Sequence, residues 1–311
     1  VCPPEAFPKA SILLRVPFHF NAPLLTATVG PGMLNRIQNR EVPMARRLAL
    51  PLLVLLWACA DADTESWLID ENQEIQMGAE FHQQLLAEMP PYTKDQRVTR
   101  YVESLGRELA THTTRPNLPW TFTVVESDEI NAFAVMGGYV YVTTGLLKAA
   151  SSGAEVATVL AHELGHVAAR HGVRQMEVFL VEQSLVDLLF QSGSTRQLVS
   201  QALQTVSVLT FSKDQEREAD SLGVEFAAKA LWNPWGIVDF FSYLQQIEGG
   251  GSDGGFLSDI GELFSTHPPT AERISNVEQQ LGTLRIGRDA TGYRWATVSE
   301  DADFAAMKSA L

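Results

Sequence analysis

The stretch SSGAEVATVLAHELGHVAARHG, residues 151–172, constrains the fold more than any other part of the chain. Val156, Val159, Leu160, Leu164 and Val167 recur at helical spacing and supply a core-facing stripe. Ser152 and Glu155 form an S-x-x-E start signal, and Gly172 stands where the left-handed residue after a last turn belongs. Arg170 and His171 would then complement the helix dipole in that turn. The spacing predicts a buried helix over residues 152–171.

Two of the 7 histidines stand four apart in this apolar run, with Glu163 directly after the first. Positions i and i+4 project from one helix face, so His162 and His166 can both reach one ion, and zinc suits such a pair best. Glu163 lies about 100° round the helix from His162, placed to act as a base beside the ion without ligating it. A catalytic zinc usually takes three protein ligands and keeps a fourth position for water. No H-x-x-G-x-x-H continuation follows, and His171, at i+5 from His166, falls on the wrong face of a continued helix. The third ligand is therefore expected from EREAD, where Glu216 and Asp220 share a helix face and Glu218 points away. Glu216 is assigned to zinc, and Asp220 to an outer hydrogen bond that orients a ligand histidine. His19, His82, His112 and His171 have no partners at ligand spacing and read as surface or capping residues.

Around this helix the pattern gives a mainly helical α+β fold. Residues 72–89 and 98–109 read as two packing helices, and residues 119–127 as a strand rich in β-branched and aromatic side chains. Residues 130–145 read as two strands joined around Gly137-Gly138, so a small antiparallel sheet is expected beside the histidine helix. Two amphipathic stretches follow in residues 175–211. Ser212 and Gln215 make a second capping box, opening a helix that runs to Asn233-Pro234, and another helix covers roughly 235–247. Residues 249–255, GGGSDGG, read as a loop or lid hinge, and Ile274, Val277 and Leu281 mark a last helix.

Composition narrows the function classes. The 311 residues are 45% hydrophobic and 19% charged, ordinary for a globular chain. A net charge of -14 and a pI near 4.9 leave no basic footprint to neutralise phosphates, which argues against a nucleic-acid partner. The charge is uneven: six Lys/Arg but only two acids fall in residues 1–59, so the remainder is strongly acidic. From Met44, MARRLALPLLVLLWAC has the basic start and short apolar run of a secretory signal and ends like a bacterial lipobox at Cys59. Residues 1–43 are Pro-rich, lack a period, and read as an upstream extension or disordered; 44–59 as a signal peptide; 60–285 as the catalytic domain; 286–311 as a C-terminal tail. Ala60, where some lipoproteins carry a retaining Asp, favours an outer-membrane anchor on Cys59. Both cysteines lie in the leader, so the acidic body offers no thiolate ligand or nucleophile.

NAFAVMGGYVYVTTGLL, HELGHVAARHG, SKDQEREAD and HPPTAERI, in that order, resemble the HtpX-like, Oma-like and CAAX prenyl protease type of zinc metalloendopeptidases, nearest their periplasmic BepA-like branch. The resemblance runs from about residue 74 to 281 and implies a gluzincin-type fold with one Zn2+ held by His162, His166 and Glu216. It implies peptide-bond hydrolysis with Glu163 as general base, and places His267 and Asn131 at the active centre. These two would stabilise the oxyanion or bind substrate, or His267 would take the fourth zinc position in a resting form. The strand near 131–136 would pair with extended substrates. Unfolded or misfolded proteins of the bacterial envelope are the implied substrates, met in the periplasm by a chain lipid-anchored to the outer membrane. The tandem helical repeats and flanking transmembrane helices of some members have no counterpart in this sequence. The alternative is a zinc-containing assembly or chaperone-like binding factor with little turnover.

Overall fold

A computed structural model describes residues 68–190, 211–249 and 267–311. Helix α1 (Glu71–Glu88) begins at Asp70, whose side chain and that of Gln73 form a reciprocal capping box absent from the sequence reading. Helix α2 (Gln96–Ala110) buries Val98, Val102, Leu105 and Leu109 on one face, with Tyr101 half-buried beside them.

Three short strands follow: β1 (Thr121–Val125), β2 (Ala132–Val135) and β3 (Tyr139–Thr143). The turn between β2 and β3 places Gly137 at φ 80° and Gly138 at φ 96°, backbone that favours glycine. A Cβ on Gly137 would also meet the backbone of α1 at 3.0 Å from the Glu74 carbonyl oxygen. The sheet is mixed: β2 pairs antiparallel with β3, as expected of the hairpin, while β1 pairs parallel with β3 on its other side. Residues 126–131 carry the chain across the end of β3, tied there by the Thr143 and Thr144 hydroxyls, which donate to the carbonyls of Glu129 and Ser127. Strand propensity identifies such segments but says nothing of partner or direction. Order β1-β3-β2 leaves β2 at an edge.

Helix α3 (Thr144–Ala149) leads into α4 (Gly153–Ala168), the histidine helix, in which every residue from Gly153 to Val167 is buried. Helix α5 (His171–Phe190) follows almost at once. Helix α6 (Lys213–Lys229) opens on the expected Ser212/Gln215 box, with both reciprocal hydrogen bonds formed. The box at Ser152 is half formed: Ser152 accepts from the Glu155 amide, but the Glu155 carboxylate turns to Ser151 instead. Helices α4 and α6 cross closely because glycines line the crossing. A Cβ on Gly223 would stand 3.0 Å from the backbone of His162, and one on Gly165 would stand 2.8 Å from the Ala219 carbonyl oxygen. That close approach is what brings the acids of α6 to the histidines of α4.

Helices α7 (Gly236–Gly249), α8 (Ala271–Leu284) and α9 (Ala302–Ser309) complete the described chain. Residues 286–311, expected as a tail, instead pack against the body through buried Ile286, Ala296, Phe304 and Met307. Phe304 and Met307 are fully buried, and the carbonyls of Ala296 and Trp295 accept from the Gly153 and Ala154 amides, satisfying the first turn of α4. Lys308 donates to the carbonyls of Leu147, Lys148 and Ala150, closing the C-terminal end of α3. The leader with Cys59, the second stretch of 175–211 (save Phe211) and the Gly-rich hinge, apart from Gly249, lie outside the described residues. Among the described residues no helix is long and apolar enough to cross a membrane.

Candidate metal centre

His162 and His166 extend their Nε2 atoms to within 3.1 Å of one another from consecutive turns of α4. Glu216, in the first turn of α6, brings Oε2 to 3.6 Å from His162 Nε2 and Oε1 to 3.5 Å from His166 Nε2. His267, just before α8, adds Nδ1 at 2.8 Å from Glu216 Oε1 and 3.5 Å from His162 Nε2. All four residues are buried, and one ligand atom of each lies within 4.8 Å of every other. Bonds of roughly 2.0–2.1 Å to a tetrahedral zinc space neighbouring donors roughly 3.3 Å apart. The observed separations bracket that figure. Imidazole nitrogens this close must share a proton or a cation, and one cation accommodates all four donors at once.

Burial and neighbouring charges favour the ligating forms of His166 and Glu216, whereas His267 is shifted toward its charged form. Burial lowers His166 well below the usual imidazole range, which favours its neutral form. Burial works against the Glu216 carboxylate, but His267, hydrogen bonds from His166 and His267, and His162 together hold it far below the ordinary range. His267 is raised: burial opposes its charge, and Glu163 and Glu216 outweigh that. Glu163, beside the donors but outside them, is raised by burial above all, and its Oε1 lies 3.9 Å from His267 Nε2. Its Oε2 is buried without a hydrogen-bond partner.

Asp220, one turn after Glu216 on α6, sits with Oδ1 3.0 Å from His162 Nδ1. Its carboxylate is gripped by Arg273 of α8, which donates to Oδ2 from Nε at 2.8 Å and to Oδ1 from Nη2 at 2.6 Å. The same guanidinium reaches Glu216 Oε2 at 2.7 Å and donates to the Pro268 carbonyl, joining both acids to the loop that carries His267. Sequence reasoning missed Arg273, because nothing in its spacing distinguishes it from a surface cation.

Asn131 is buried, but its described hydrogen bonds run to Thr143 and none reaches the four donors; its Oδ1 is buried without a partner. Phe211, immediately before α6, stacks on His166 with ring centroids 4.0 Å apart and was also missed. Glu218 points away from the donors, as expected.

The end of α4 departs from expectation. The helix stops at Ala168, and Arg170, not Gly172, takes the left-handed conformation at φ 59°. Arg170 is held there by Glu74 and by the Ile69 carbonyl. The turn folds His171 back, so that instead of lying on another face it is fully buried against His166, Nδ1 to Nδ1 at 2.9 Å.

The sequence profile of peptidase family M48 matches residues 96–281, which include every one of these side chains but Glu74 and Ile69. The β-barrel assembly-enhancing protease of Escherichia coli (strain K12) is 27% identical over 225 residues, covering 69% of this chain and 45% of that protein. The mitochondrial metalloendopeptidase OMA1 of Schizosaccharomyces pombe is 27% identical over 194 residues, covering 62% and 56%. The metalloprotease YcaL of Escherichia coli (strain K12) is 26% identical over 192 residues, covering 60% and 70%. The chain thus spans less than half the length of the β-barrel assembly-enhancing proteases. With the family profile matching more than half of its length, the chain belongs to peptidase family M48.

Proposed function

We propose that this chain is a zinc-dependent endopeptidase that hydrolyses peptide bonds in unfolded or unassembled proteins. The observation that carries the reading is the buried convergence of His162, His166, Glu216 and His267 beside an unligated Glu163. Zinc bound among these donors would supply Lewis-acid polarisation of the scissile carbonyl and acidify water beside it. Glu163 then takes the proton of the attacking water and returns it to the leaving amine. Its burial supports this role, since a carboxyl raised toward neutrality is the better base at neutral pH. His267 would hold the ion as a fourth donor while substrate is absent, and near Glu163 its other nitrogen would donate to the carbonyl oxygen as that atom gains charge. Asn131 is proposed for substrate binding, its unpartnered Oδ1 being the support.

Edge strand β2 supports an extended substrate, because backbone pairing accepts any side-chain sequence. The relatives named for β-barrel assembly support unassembled proteins of the cell envelope as substrates. The basic, apolar leader supports export to the periplasm with a lipid on Cys59, anchored at the outer membrane. A second reading, a zinc-containing assembly factor with little turnover, is favoured by the closure of the site, whose four donors are at most 4% exposed.

Incubation with casein separates the two. Under the proposal the purified protein digests casein, a chelator stops it, and added zinc restores it. Intact casein beside zinc-loaded protein would select the second reading.

Asp220 is proposed as the group that orients His162, and such outer partners typically contribute about 10 to 100-fold in metal affinity. Asp220→Asn is expected to weaken zinc by that factor in competition with a chromogenic chelator. Unaltered affinity would remove Asp220 from the account.

A further inference from the structure

The second ligand histidine has a longer support. His166 Nδ1 meets His171 Nδ1 at 2.9 Å, and His171 Nε2 meets Glu218 Oε2 at 3.0 Å. A carboxylate is acceptor-only, so the ring nitrogen facing Glu218 must carry a proton. In a neutral imidazole the other nitrogen is then an acceptor, which requires His166 Nδ1 to donate. His166 Nε2 is left with its lone pair, turned toward the donor set. Run in the opposite direction, the chain would put a proton on His166 Nε2 and prevent it from ligating.

We infer that His171 and Glu218 are positioning residues that set the tautomer of His166, so that a surface carboxylate on α6 readies a buried metal ligand on α4. Glu218 is 47% exposed and also lies 3.9 Å from Arg174, which anchors it, while His171 is fully sealed from water. The two ligand histidines have different neighbours at Nδ1: Asp220 Oδ1 at 3.0 Å beside His162, and an intervening imidazole beside His166. One helix supplies opposite ends of the arrangement, Glu216 facing the donors and Glu218 facing α5. The inference rests on the zinc reading proposed above.

Long-range 1H–15N spectra of the zinc-loaded protein read the protons directly. His171 is expected to carry its proton on Nε2 and His166 on Nδ1; a proton on His171 Nδ1 would overturn the inference. Zinc competition with a chromogenic chelator provides the second arm. Glu218→Ala is expected to weaken zinc by roughly 10 to 100-fold. His171→Asn, whose amide oxygen can stand near the lost Nδ1, should bind zinc several-fold tighter than His171→Leu. Wild-type affinity in Glu218→Ala, or equal losses in the two His171 variants, would sink the inference and leave the peptidase reading intact. A wild-type chain that binds no zinc would instead refute the peptidase reading.

Discussion

Glu163→Gln is expected to lower cleavage of an unfolded substrate by at least roughly 100-fold, the lower end of what a positioned acid–base group contributes, and to leave zinc content unchanged. Glutamine keeps the shape of the side chain but accepts no proton at neutral pH. Metal retention follows from the geometry, since Glu163 is outside the donor set and its Oε2 has no partner to lose. Folding should not suffer either. Burial already disfavours the Glu163 carboxylate, so a neutral amide there removes a desolvation cost. Steady-state digestion, metal analysis and thermal melting of the variant check the three parts together. A variant that digests casein at the wild-type rate would remove Glu163 from the chemistry; one that loses zinc would make it a ligand.

Glu74→Ala is expected to produce a large loss of stability although the residue lies outside the centre. Glu74 is 0% exposed and accepts from Arg115 through both guanidinium nitrogens at 2.9 Å, from Arg170 Nε at 3.0 Å and from the Gly137 amide at 3.2 Å. Its removal takes the shared anion from two largely buried guanidinium groups; Arg115 keeps Glu71 at 2.9 Å, so the cost is about 3 kcal/mol, the low end for a broken buried pair. For a folded body of this size the melting temperature should fall by roughly 10 °C. The loss also reaches the centre, because Arg170 forms the left-handed turn that places His171 under His166. Thermal denaturation of the variant reads the effect, and an unchanged melting temperature would show that the network contributes nothing.

Glu74 also shows how the sequence can be read further. It shares a helical stripe with Gly78, Phe81 and Leu85, so an acid stood in a core position, a signal of a buried partner. The histidine helix was legible because its apolar period and Ser152 start are local features, and Glu216 with Asp220 because they fall four apart on one helix. His267 entered only through the resemblance, since a histidine before two prolines has no period to betray it. Arg273 was invisible for a related reason: its importance lies in contacts with residues more than fifty positions earlier. The direction of β1 depends on which side of β3 the loop crosses, which strand composition does not record. Residues 286–311 lack a period because much of that stretch packs as irregular chain. Trp235 and Trp295 donate indole protons to its carbonyls at Ile286 and Arg288, contacts that no hydrophobic pattern announces.

The proposed chemistry requires that His162 and His166 of α4, Glu216 of α6 and His267 grip a single ion. Metal analysis of the purified chain beside its Glu216→Ala variant tests this most directly. One zinc per chain in the wild type, lost in a variant that still melts cooperatively, is the expected result. A wild type without stoichiometric metal, or a variant that retains its full complement, would contradict it.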